Sequence, residues 1–160
     1  MTVTYDTASQ NADFADLKLG QSASFSKTVT EADIILFSGV SGDVNPAHID
    51  QNYAANSMFK GRIAHGMLSA SFISAVLGTR LPGPGTIYLS QNLKFKAPVR
   101  PGDTVTARVT VKELNAERKQ AVLTTQCFVG EVLVIDGEAL VMIPAAKKAD
   151  SAPDKKLAAE

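Results

Sequence analysis

The sequence predicts an α+β domain in which one antiparallel sheet wraps around a single apolar helix. Three observations predict it. Residues 30–79 carry a mainly helical pattern, and within them residues 65–79 are small or apolar on every side. From Thr86 onward the pattern is extended. The chain has 160 residues, 45% of them apolar, enough for one domain with a real core.

Taken in chain order, Gln21 to Val29 is a candidate first strand. Thr30 followed by Asp33 resembles a capping box with Asp in the usual Glu/Gln place, so a helix should start there. Ile34, Ile35 and Phe37 supply its apolar face, and it should stop near Gly39 or Gly42. A second short helix is expected from Asp50 to about Ser57, followed by an irregular stretch from Met58 to Ala64. The segment HGMLSASFISAVLGT, residues 65–79, contains no ionisable side chain after His65 and reads as a buried helix. Gly78 and the Pro82-Gly83-Pro84-Gly85 run end it.

Ile87 to Lys96 is a candidate strand. Asp103 to Leu114 alternates Val105, Ala107, Val109 and Val111 against Thr104, Thr106, Arg108 and Thr110, the period-2 signature of a half-buried strand. Gln120 to Val129 and Val132 to Ile143 are rich in β-formers, with an interruption expected in the second at Asp136-Gly137. Residues 1–19 are read as an N-terminal extension and 20–144 as the domain. The Ala/Lys/Asp/Glu-rich residues 145–160 are read as a disordered tail.

Composition excludes some functions. Sixteen basic and sixteen acidic residues balance, which argues against nucleic acid as the main partner. No run of eighteen apolar residues exists, so no membrane span is expected. The N-terminus lacks a basic start followed by an apolar run, so no signal peptide is expected, and the reading is a cytoplasmic protein. Cys127, the only cysteine, allows no intrachain disulfide and reads as a small core residue.

There are two histidines, His48 and His65, so any imidazole acid or base is one of them. Asp43 and His48 are separated by a segment containing Asn45-Pro46, where the proline restricts Asn45 to an extended or turn conformation. A turn there can aim a carboxylate and an imidazole at one water. The plainer alternative has Asp43 capping the next segment and His48 packing at a helix start. Gly66 opens the apolar helix, and free N–H groups at a helix start can bind a carbonyl oxygen that becomes anionic. Here the plainer alternative is that His65 caps the helix and Gly66 relieves packing. Ser69, Ser71 and Ser74 lie on the same helix, where a serine often bonds back to a carbonyl one turn earlier. There is no G-x-S-x-G elbow and no phosphate-binding glycine loop. One Cys and two His seventeen residues apart argue against a zinc site.

The stretch FSGVSGDVNPAHIDQNYAANSMFKGRIAHGMLSASFISAVLG, continued through GTIYLSQNLKFKAPVRPGDTVTARVTV, resembles the MaoC-like (R)-specific enoyl-CoA hydratases. The likeness covers roughly residues 20–143, and D-x-N-P-x-H, A-H-G-M and F-x-x-P-V-x-x-G-D occur in order. It implies a hot-dog fold, a homodimer with sites near the subunit interface, and an acyl-CoA thioester substrate. It implies no cofactor, coenzyme A being part of the substrate. By position, Asp43 and His48 match the family's catalytic pair. Gly66 matches the glycine whose N–H receives the thioester carbonyl, Ser74 matches an orienting serine, and Asn45 takes a supporting role. The coenzyme A phosphates need cations, for which Lys60, Lys94, Lys96, Arg62 and Arg100 are the candidates, against a plain reading as solvated surface charges. The expected reaction is reversible addition of water to trans-2-enoyl-CoA, giving (R)-3-hydroxyacyl-CoA. The alternatives are a hot-dog acyl-CoA thioesterase, a dehydratase acting on carrier-protein thioesters, and a noncatalytic acyl-CoA-binding subunit.

Overall fold

The computed structural model describes residues 12–144. After a short 3-10 turn at Phe14–Asp16 come β1 (Ser22–Thr28), α1 (Glu31–Ser41), α2 (Pro46–Ile49), α3 (Gln51–Asn56) and α4 (Gly66–Thr79). Strands β2 (Ile87–Phe95), β3 (Thr104–Asn115), β4 (Gln120–Val129) and β5 (Val132–Met142) follow. The five strands form one sheet in the order β1-β3-β4-β5-β2, antiparallel throughout. Helix α4 packs against β1, β3 and β4, which is the hot-dog arrangement.

Local signals built the elements where they were expected. Thr30 accepts from the Asp33 amide while the Asp33 carboxylate accepts from the Thr30 amide, a complete capping box. Gly42 ends α1 in the left-handed region at φ 76°, a conformation open to glycine at little cost. Val105, Ala107 and Val109 are fully buried on β3, as the alternation required, and face Leu68, Phe72, Ile73, Val76 and Leu77 of α4 in one core cluster. Cys127 lies in that core, where its thiol reaches the Ser69 carbonyl at 3.6 Å and burial pushes its pKa up to about 12.

Four expectations change. Strand β5 is not interrupted at Gly137. That residue pairs with Leu93 of β2, and a Cβ there would lie 2.1 Å from the Asn92 carbonyl oxygen, so the glycine admits β2 instead of breaking β5. Ile35 does not join the buried face of α1: Ile34 is fully buried and Ile35 is 54% exposed. Helix α4 is not buried all round, because Met67, Ser71, Ser74 and Gly78, at helical spacing, form a stripe exposed on the single chain. Helix α2 was not anticipated. The Asn45 side chain accepts from the Ala47 amide at 3.0 Å, and Pro46 sits at the first helical position, where its missing N–H costs nothing. Leu17 reaches the core from ahead of β1. The expected disordered tail lies outside the described residues. Among the described residues no helix is long and apolar enough to cross a membrane.

Candidate active site

The turn after α1 carries Asp43. Its carboxylate accepts from the Asn45 amide at 3.2 Å, a local turn that holds the backbone for α2. That four-residue helix sets His48, 8% exposed, with its ring against the segment leading into α4. The Nδ1 of His48 lies 2.9 Å from the Ile63 carbonyl oxygen. A carbonyl only accepts, so Nδ1 carries the proton, and in the neutral ring Nε2 keeps a free lone pair.

His65, 1% exposed, lies against that ring, with centroids 3.9 Å apart and planes at 34°. Its Nε2 donates to the Asp43 main-chain carbonyl at 3.0 Å, so it holds the opposite tautomer from His48. Phe37 of α1 lies against the other neighbour of this pair, 5.1 Å from the His65 ring. His65 does not cap α4 with its side chain. The Leu68 and Ser69 amides turn back to the His65 carbonyl at 3.1 and 3.5 Å, which leaves those of Gly66 and Met67 without intrahelical partners.

These groups line a cavity of about 520 Å³. Asp43, His48, His65, Gly66 and Ser69 give it polar groups, while Met58, Phe59, Ile63, Phe95, Pro98 and Val99 give it apolar walls. A Cβ on Gly66 would lie 2.6 Å from Cε1 of Phe95, so the glycine lets that ring close over the helix start. The plainer reading of Gly66 as packing relief and the functional reading thus describe the same position.

The fold brings Asp43, His48 and Gly66 together. It separates others from them. Asn45 caps α2, the short helix that carries His48. Ser74 lies outside the cavity, in a neighbouring groove with Phe37, Met67, Ser71, Tyr88, Gln91 and Leu93. Its distance follows from its place eight positions, more than two turns, beyond Gly66. Of the cations, Lys96 lines the cavity and Lys60 stands exposed beside Phe59. Arg62 is paired with Glu31 at 2.5 Å, and Arg100 donates to the Phe59 carbonyl at 2.6 Å, holding the 57–61 loop. Lys94 lines a different groove, with Asp136 and Glu138.

His65 is the residue whose part in the site was missed. Its distance of seventeen residues from His48 was offered against a metal site, yet the fold places ligand atoms of Asp43, His48 and His65 all within 4.8 Å. The two rings lie face against face, centroids 3.9 Å apart and planes at 34°, instead of converging edge-on at one point. Stacked rings aim their nitrogens less well at a single ion than rings meeting edge-on.

Comparison with known proteins bears on the family and the fold. The family model described as MaoC like domain matches residues 13–131. An (R)-specific enoyl-CoA hydratase of Rhodospirillum rubrum is 64% identical over 132 residues, covering 82% of this chain and 92% of that protein. A 3-hydroxybutyryl-CoA dehydratase of Methylorubrum extorquens is 49% identical, over 86% of this chain and 87% of that one. Among solved structures, an unliganded R-hydratase from Pseudomonas aeruginosa superposes with a TM-score of 0.80 at 44% identity, covering 90% of this chain and 96% of that chain.

Proposed function

The chain belongs to the MaoC-like domain family, and from that premise we propose that it is an (R)-specific enoyl-CoA hydratase. It adds water reversibly to trans-2-enoyl-CoA, giving (R)-3-hydroxyacyl-CoA. The observation that carries this reading is the convergence of the Asp43 carboxylate, the free Nε2 of His48 and the open start of α4 at Gly66 on one cavity.

The chemistry follows from what each group can donate or accept. The thioester carbonyl takes a hydrogen bond from the Gly66 N–H, which withdraws electrons from C3 and stabilises the enolate oxygen that develops. One water lies between the two acceptors, Asp43 and His48, so its oxygen lone pair points at C3. As the C3–O bond forms, His48 Nε2 takes the proton and the C2=C3 electron pair moves onto C2 and the carbonyl. The same proton is delivered to C2, which restores both residues. The apolar walls exclude competing water. Lys96 and Lys60 are the cations best placed for the phosphates of coenzyme A. Beyond water and the acyl-CoA, the proposed steps use only side chains and backbone of this chain.

A homodimer fits the surface. Strand β2 is an edge of the sheet, with Ile87, Tyr88, Leu89 and Phe95 each at least 38% exposed, and the α4 stripe of Met67, Ser71 and Ser74 lies beside it. A second copy laid on this face would cover both and bring Ser74 to a subunit boundary. A cytoplasmic location is consistent with the single unpaired thiol, Cys127.

The deciding assay follows crotonyl-CoA by loss of enoyl absorbance, with chiral analysis of the product and a thiol reagent present in parallel. Conversion to (R)-3-hydroxybutyryl-CoA without free thiol is expected. Thiol release would replace this reading with a thioesterase, and tight binding without turnover would replace it with a noncatalytic subunit.

A further inference from the structure

The segment 42–45 that carries Asp43 is held by few bonds. Within it, the Asp43 amide donates to Ser41 Oγ at 3.2 Å, the Val44 amide to the Gly42 carbonyl at 3.1 Å and the Asn45 amide to the Asp43 carboxylate at 3.2 Å. All three are local turns. Among the described residues, the one hydrogen bond joining this segment to a distant part of the chain is that from His65 Nε2 to the Asp43 carbonyl, 3.0 Å.

His65 also has its own supports. Ser38 Oγ lies 3.3 Å from the same Nε2 and donates its own proton to the Ile34 carbonyl at 3.1 Å. Its lone pair is therefore free to share the Nε2–H, which keeps the ring in a single tautomer. The opposite nitrogen, Nδ1, is buried without a partner among the described residues. One face of the ring meets His48, and Phe37 packs nearby. A single side chain thus touches the backbone under Asp43 and the ring of His48, the two groups that must share one water.

We propose that His65 is a positioning residue, which sets the position of Asp43 relative to the stacked His48 ring chiefly through its hydrogen bond to the Asp43 carbonyl. This inference rests on the hydratase reading above. Its contribution is to turnover, because a displaced Asp43 spoils the aim of the water while leaving the thioester and coenzyme A contacts intact. The tether and the stack are separable. His65→Gln keeps a donor near the Nε2 position and loses the ring, while His65→Phe keeps the ring and loses the donor.

The test measures kcat and KM for crotonyl-CoA in both variants, with melting temperatures. Tethering predicts that His65→Phe loses tenfold or more in kcat with KM within twofold, and that His65→Gln recovers a large part of the loss. Equal losses in both variants, or a change in KM alone, would overturn it. The unmodified protein provides a second readout that does not depend on a variant folding. With two histidines in the chain, nitrogen-15 spectra of the labelled protein resolve both tautomers, and a proton on Nε2 of His65 and on Nδ1 of His48 is expected. A proton on Nδ1 of His65 would remove the tether. If the unmodified protein fails to hydrate crotonyl-CoA, the functional reading fails. If it turns over and His65→Phe does so equally well, this inference alone fails.

Discussion

The Nδ1–H of His48 donates to the main-chain carbonyl of Ile63 at 2.9 Å, and this bond leaves Nε2 as the ring nitrogen free to accept. The bond also spans two segments, since the Ile63 amide in turn donates to the Ala47 carbonyl at 3.2 Å. The stretch before α4 therefore aims the ring of His48 twice, once through its side chain and once through α2.

Replacing His48 by Gln removes the basic ring nitrogen, since an amide oxygen accepts a hydrogen bond but does not take up a proton. We expect kcat to fall by about 10²- to 10⁴-fold, the range typical of a lost acid–base group. Asp43→Asn should fall comparably, and both should keep melting temperatures near that of the parent. Near-normal rates in both variants would mean that neither residue handles the water.

The positions of the cations separate binding from bystanders. Lys96→Ala should raise KM several-fold with kcat little changed, the pattern of lost uniform binding. Lys94→Ala, on a groove away from the cavity, should change neither constant. Steady-state kinetics on both variants would reverse this assignment if only Lys94 mattered.

Gly137→Ala tests the close approach of β2 to β5. The added Cβ would meet the Asn92 carbonyl oxygen at 2.1 Å, and backbone cannot swing aside as a side-chain tip can. Overpacking of this kind costs about 1–3 kcal/mol or more. Urea unfolding should report that loss, and an unchanged midpoint would show that the strands can separate freely there.

Asp33 links the α1 cap to pH. Its hydrogen bond from Lys27, with those from Thr30, lowers its pKa from 3.8 to about 2. A carboxylate with a depressed folded value stabilises the fold above its unfolded value and loses that contribution as pH falls through the folded one. Asp33→Asn should therefore cost about 1 kcal/mol at neutral pH, a typical value for a cap partly exposed to solvent. The difference from the parent should shrink between about pH 4 and pH 2 in denaturant titrations followed by circular dichroism. A difference that stays constant across that range would detach the cap from the Asp33 charge.

The sequence by itself determined whatever depends on near neighbours. The Thr30–Asp33 capping box was legible because its partners lie three residues apart, and the stop at Gly42 because one left-handed residue closes a helix. The face of β3 was legible because alternation has a fixed period. Two histidines and one turn left Asp43 and His48 open between a functional pair and plain capping, and the order of the motifs is what favoured the pair. Tertiary structure decided what depends on chain closure. The expected break at Gly137 became a strand contact because β2 crosses there, and Ile35 turned outward because only one side of α1 meets the core. Ser74 fell into a separate groove, and Arg62 and Arg100 were taken up by Glu31 and the Phe59 carbonyl. His65 shows the limit most clearly. Its value to the site lies in a stack across seventeen residues and a hydrogen bond across twenty-two, and such contacts leave no periodic or local trace in a single sequence.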